Sequence, residues 1–199
     1  MAKPTRKDWR ALKRIGRYLK GSPRLVSMFH LQPIQESIRV YSDSDWAGCK
    51  KTCKSTSGGA IMIGGHCVRT WSSTQKTIAL SSGEAELIAL VKASTETIGM
   101  MNLAKEWGMV FGARIFADSS AALGVVGRKG SGKLRHIRVG MLWVQSMRED
   151  GILDYRKVNG PENPADLLTK HLCQKSLQSH CDRLQQHFIA GRAEQSLQL

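Results

Sequence analysis

The stretch Ser37-Ile38-Arg39-Val40-Tyr41-Ser42-Asp43-Ser44-Asp45-Trp46-Ala47-Gly48 decides how the chain is read. Ile38 to Ser42 reads as a short strand, and Asp43-Ser44-Asp45 as an acidic turn that ends it. Downstream, Gly59 to Ile63 and Cys67 to Ser72 are β-rich runs joined by Gly64-Gly65-His66, a hairpin signal. A long helix is expected from Ser82 to Trp107, with Leu87, Leu90, Val91, Ile98 and Met101 on one side. Arg114 to Ala117 reads as a strand ending at Asp118, Ala121 to Val126 as a short helix, and His136 to Arg148 as another. Leu153 to Val158 completes the strands, and Pro164 to Lys170 is a last short helix. The order β, β-hairpin, α, β, α, α, β, α predicts an α/β fold: a mixed five-stranded sheet with helices packed on it, and no alternating dinucleotide-binding pattern.

Upstream of Ser37, residues 4–20 read as a basic amphipathic helix. Trp9, Leu12, Ile15 and Leu19 recur at helical spacing, and Gly21-Ser22-Pro23 stops the pattern. Leu25 to Phe29 is a candidate strand and Gln32 to Glu36 a linker. At the other end, Lys175 to Ile189 reads as one amphipathic helix through Leu177, Cys181, Leu184 and Phe188.

A chain of 199 residues holds one well-buried domain and a flanking element. No apolar run approaches the roughly 18 residues of a membrane helix. The basic first 20 residues lack an apolar core, so a secretory signal is not expected. Thirty Lys and Arg against sixteen Asp and Glu leave a net charge of +14, a field that attracts polyanions, nucleic acid above all. The five cysteines form neither an even set nor a CxxC pair, which points to reduced thiols and an intracellular setting, cytoplasmic or nuclear. Cys49, Cys53, His66 and Cys67 match no zinc-finger or zinc-ribbon spacing.

In so basic a chain, four carboxylates at element ends stand out: Asp43, Glu86, Asp118 and Asp166. Converging without a counter-ion, they would raise one another's pKa. A hard divalent cation removes that penalty, and paired ions suit in-line attack on a phosphodiester.

The residues around these acids resemble the ribonuclease H domain of copia-type LTR retrotransposon Pol polyproteins. Tyr41 to Gly48, Lys54-Ser55-Thr56-Ser57-Gly58-Gly59, Trp71 to Thr77 and Ala79 to Glu86 open the match. Ala117-Asp118-Ser119-Ser120-Ala121-Ala122, Arg135-His136-Ile137 and Asn163 to Lys170 continue it in the same order. Residues 3–21, with Lys3-Pro4-Thr5, Trp9, Leu12 to Ile15 and Arg17 to Gly21, resemble the stretch joining reverse transcriptase to this domain, which would make the chain a fragment or degraded copy of a longer reading frame. The resemblance implies a ribonuclease H-like fold with a connection helix and linker over 1–35, the nuclease domain over 36–172 and a partly helical tail over 173–199. It also implies hydrolysis of the RNA strand of RNA–DNA hybrids during reverse transcription, two Mg²⁺ ions (Mn²⁺ as substitute) on Asp43, Glu86, Asp118 and Asp166, and the reverse transcriptase region of the same polyprotein as partner.

Residue geometry narrows some of these assignments. Glu84 and Glu86 sit about 200° apart on a helix and cannot both face one site. Ser81 to Glu84 reads as a capping box that occupies Glu84. Asp43 and Asp45 share strand parity, so periodicity leaves both open; motif position favours Asp43. Asn163 and Pro164 read as cap and first-turn residues that place Asp166. Ser44 and Ser119 are hydrogen-bond candidates for nucleic acid, and the stretch with Arg128, Lys129, Lys133 and Arg135 reads either as a phosphate-gripping loop or as a solvated, flexible one. Two other readings remain: a catalytically silent nucleic-acid-binding remnant, and an integrase- or resolvase-like relative that cuts DNA.

Overall fold

The structure, a computed structural model, describes residues 3–132 and 136–191. The chain divides into two compact units, one of the residues up to Met28 with those from Gln186 onward, the other Phe29–Gln185. The first unit starts with helix α1 (Arg6–Gly21), entered through a capping box in which the Thr5 hydroxyl accepts from the Asp8 amide and the Asp8 carboxylate accepts from the Thr5 amide. Trp9, Leu12, Ile15 and Leu19 line α1 as expected, each about half exposed. Strand β1 (Leu25–Ser27) follows.

The larger unit is built on β2 (Ser37–Asp45). This strand runs through Asp43-Ser44-Asp45, which form no turn. They stay extended because they pair with Gly58, Ser57 and Thr56 of the antiparallel strand β3 (Thr56–Ile63). Gly64, at φ +59, and Gly65 turn the chain into β4 (His66–Thr74), so the hairpin loop is the two glycines and His66 is already strand. Gln32, read as linker, clamps this hairpin: its amide nitrogen donates to the Ile63 carbonyl at 3.0 Å and its oxygen accepts from the Gly65 amide at 2.9 Å.

Helix α2 (Ser82–Glu106) crosses the sheet, and β5 (Gly112–Ala117) then pairs in parallel with β2. After α3 (Ser120–Val126), a 3-10 turn over Val139–Leu142 leads into α4 (Trp143–Glu149). The α-helix thus starts later than the expected His136, because Val139 and Gly140 are poor helix formers. Strand β6 (Asp154–Lys157) pairs in parallel with β5, which closes the sheet order β4-β3-β2-β5-β6. This is the expected mixed five-stranded sheet.

Strand parity divides β2 between two cores. Ile38 and Val40 pack with Leu87, Leu90 and Ile115 in the main core, while Tyr41 packs with Ala60, Met62 and Leu184 on the opposite face. The second face is covered by a 3-10 segment, Pro164–Leu168, where an α-helix was expected. Gly58 permits the close approach: a Cβ there would stand 2.6 Å from the Thr169 methyl and 2.9 Å from the Leu168 Cβ. The chain continues as α5 (Gln174–Arg183), and Gln185 at φ +55 ends the helical path before β7 (Gln186–Phe188), which pairs antiparallel with β1. The single helix expected over 175–189 is therefore a helix and a strand. Residues 173–185 group with the larger unit. No helix among the described residues is long and apolar enough to cross a membrane.

Asn163 pins the covering segment to the sheet. Fully buried, it donates to the Ser42 carbonyl at 2.9 Å, and its oxygen accepts from the Ala165 amide at 3.2 Å. Asn163→Ala should cost about 1–3 kcal/mol, because the Ser42 carbonyl stays buried with that bond lost. Urea denaturation checks this, and a loss below about 0.5 kcal/mol would show that the segment is held by its apolar contacts alone.

Candidate metal centre

Three elements deliver three carboxylates to one point. Asp43 lies near the C-terminal end of β2. The parallel register that sets Ser42 beside Ala117 places Asp118, the next residue after β5, at the same sheet end. Glu86 comes from the first turns of α2. The ligand oxygens of Asp43, Glu86 and Asp118 all lie within 4.8 Å of one another. The Ser44 amide donates to Glu86 Oε1 at 3.2 Å, whereas Glu86 Oε2 is buried with no hydrogen-bond partner among the described residues.

Asp166 is not part of this triplet. Its carboxylate accepts from the Lys170 ammonium at 2.9 Å, and the same ammonium donates to Asp43 Oδ1 at 3.0 Å. Thr169 donates its hydroxyl to the other Asp43 oxygen. The strand parity that puts Tyr41 against the 3-10 segment also turns Asp43 toward Thr169 and Lys170. An open cleft of about 670 Å³ has Asp118, Gly160, Asp166, Lys170, Ser176 and His180 among its lining residues.

Burial, with the Asp43 carboxylate beside it, pushes the Glu86 carboxyl up to about 8. Burial raises Asp43 to about 6 against the opposing pull of Thr169 and Lys170. Lys170 is itself desolvated, yet its hydrogen bond to Asp166 and the charge of Asp43 hold the ammonium above its usual range. An orphaned buried carboxylate oxygen, two carboxyls with raised pKa values and an oxygen-only donor set fit a hard divalent cation.

The structure separates the alternatives that the residues alone left open. Asp43 enters the triplet, while the Asp45 carboxylate turns back over Gly48, where an added Cβ would stand 1.8 Å from its Oδ2. Glu84 is held away from the triplet. The Ser81 hydroxyl caps its amide at 3.2 Å, but the carboxylate reaches one residue beyond the expected box, to the Leu80 amide at 2.8 Å, and also meets His136 Nε2 at 3.0 Å.

Ser44 is buried in the frame of the site and is not on the surface. The Ser119 oxygen caps α3 by accepting from Ala122. Arg128 and Lys129 are exposed, Arg128 donating to the Ser131 carbonyl and Lys129 pairing with Glu149. Lys133 and Arg135 lie outside the described residues. Lys170 and Thr169 were visible in the matching motif, but nothing local marked them as partners of Asp43. His180 was also missed: it sits on α5 beside Cys181, and only the fold brings it to the cleft.

Among known proteins, the chain is 33% identical over 172 residues to a retrovirus-related Pol polyprotein from transposon TNT 1-94 of Nicotiana tabacum, covering 84% of this chain and 13% of that protein. It is 30% identical over 187 residues to the corresponding polyprotein from transposon RE1 of Arabidopsis thaliana, covering 92% and 13%. The chain is a homologue of the copia-type retrotransposon Pol polyproteins. It spans about 13% of the length of these two Pol relatives. No family model matches. A solved structure of an RNase H1 isolated from compost is similar at TM-score 0.48 and 16% identity, covering 73% of this chain and 98% of that one.

In metal-free solution the Pol homologue should carry a pH signature of the site. Glu86 and Asp43 hold protons in the folded state that the unfolded chain has already released. Stability from this source is full below the ordinary carboxylate range and is lost as pH rises toward about 8. In chelator-treated protein, the Tm decline between about pH 5 and pH 8 should be steeper for the parent than for Glu86→Gln. Parallel profiles would show that Glu86 is not held protonated.

Proposed function

We propose that this chain hydrolyses the RNA strand of RNA–DNA hybrids with divalent metal, Mg²⁺ or Mn²⁺, as a part of retrotransposon reverse transcription. The observation that carries the reading is the convergence of Asp43, Glu86 and Asp118 from three separate elements, with one Glu86 oxygen buried and unpartnered among the described residues. Homology to Pol polyproteins supports the same reading.

Asp43, Glu86 and Asp118 would hold the metal, and Asp166 is the fourth acid beside them. The metal, when bound, would supply positive charge for a nucleophilic water and for the leaving 3′ oxygen. The chain's own residues orient that charge. Ser44 steers Glu86 through its amide, Thr169 and Lys170 fix the Asp43 carboxylate, and Asn163 holds the segment that carries them. Exposed Arg128 and Lys129, with Lys133 and Arg135, would meet phosphates. Ser119, whose oxygen accepts the capping bond from Ala122, would donate its hydroxyl hydrogen to nucleic acid. Contacts to 2′-hydroxyls along the RNA strand would separate hybrid from duplex DNA. Residues 1–35 would connect to the reverse transcriptase region of a polyprotein inside the cell.

A gel assay with labelled hybrid, plain RNA and duplex DNA, with and without Mg²⁺, tests the reading. Hybrid alone should be cut, and only with metal. Glu86→Gln and Asp118→Asn should fold and lose at least ~100-fold in cleavage, while Glu84→Gln should cost less than about 1 kcal/mol of stability and keep cleavage. Undiminished cleavage in excess EDTA would sink the metal-dependent reading. Hybrid binding without cleavage would mark a silent remnant, and cutting of duplex DNA would place the chain with DNA nucleases.

A further inference from the structure

Lys170 is placed as no surface lysine need be. Its ammonium stands 3.0 Å from Asp43 Oδ1 and 2.9 Å from Asp166 Oδ1, and its side chain is 37% exposed against 0% and 16% for the two acids. It therefore fills, on the Asp166 side of Asp43, the kind of position that a cation takes between two carboxylates. The segment that carries it is anchored: Asn163 bonds the sheet at Ser42, and Thr169 donates to the remaining Asp43 oxygen. Asp43 also joins Glu86 and Asp118, and one oxygen of that glutamate is buried without a hydrogen-bond partner among the described residues. Asp43 thus faces two cation positions, and one of them is already held by the protein.

We propose that the Lys170 ammonium holds the second cation position of this site, so that the chain takes one divalent ion tightly at Asp43, Glu86 and Asp118 and admits another between Asp43 and Asp166 only when Lys170 swings away. This rests on the metal-dependent reading above and deepens it. An ammonium offers three donors and one charge, and it satisfies two carboxylates without octahedral geometry. Being tethered four residues from Asp166, it is always present, whereas a free ion must be captured from solution. A second divalent ion has to displace both hydrogen bonds, and until it does it meets an ammonium of like charge at close range. Partial exposure toward the open cleft gives the lysine somewhere to go.

Mn²⁺ titration followed by calorimetry and electron paramagnetic resonance tests the proposal without reading activity. The parent chain should bind one Mn²⁺ with an uncoupled spectrum, and Glu86→Gln should lose that ion. Lys170→Met should gain a second ion, at least ~10-fold tighter than any second binding in the parent, with the spin coupling of two neighbouring Mn²⁺ ions. Adding Asp166→Asn to that variant should remove it again. Should Lys170→Met not fold, Lys170→Gln takes its place, and the parent titration stands by itself. Two ions of similar affinity in the parent, or one ion in both parent and lysine variant, would overturn the proposal and leave the metal site intact. No bound Mn²⁺ in any variant would overturn both.

Discussion

Carboxylates whose oxygens lie within 4.8 Å repel one another, and burial deepens the penalty because water no longer screens them. Much of the larger unit can be read as the means of holding Asp43, Glu86 and Asp118 together against that force. The central strand β2 supplies one acid, the adjacent parallel strand the second and the crossing helix the third, so no single loop has to bear the strain. The Ser44 amide offers a hydrogen bond to Glu86, and the 3-10 segment brings Thr169 and Lys170 to Asp43. Burial above all, with neighbouring carboxylates adding to it, raises the carboxyl pKa values of Asp43 and Glu86.

The charge is unevenly divided along the fold. The chain carries +14 overall, yet its most crowded acids sit at one end of the sheet. A net positive charge attracts polyanions in general, whereas a cluster of acids repels them unless a cation intervenes. Arg128 and Lys129 are exposed, whereas Asp43 is fully buried.

Main-chain pattern was largely legible in the residues. The strands, the glycine hairpin and the long helix follow from short-range periodicity and turn chemistry, and they fall within a few residues of their expected places. Misreadings cluster where long-range pairing overrides local preference. Asp43-Ser44-Asp45 looks like a turn until β3 pairs with it, and 186–188 looks helical until β1 supplies a ladder. Gln32, in a polar stretch with no pattern, gave no sign that it would clamp a hairpin thirty residues away.

At the site itself, the residues alone determined the chemical inventory: four acids at element ends in ordered motifs, and a helical offset that keeps Glu84 and Glu86 from sharing a face. Which oxygens meet was decided by tertiary structure. The parallel register of β2 with β5 brings Asp118 to Asp43, and the turn over Gly48 draws Asp45 away. Gly58 and Asn163 allow the last segment to lie on the sheet, so that Lys170, 127 positions along the chain, reaches Asp43. Local spacing governs a side chain's direction on its own element. Contact between elements depends on strand register and on the room left by neighbouring side chains, and neither is contained in any short stretch of sequence.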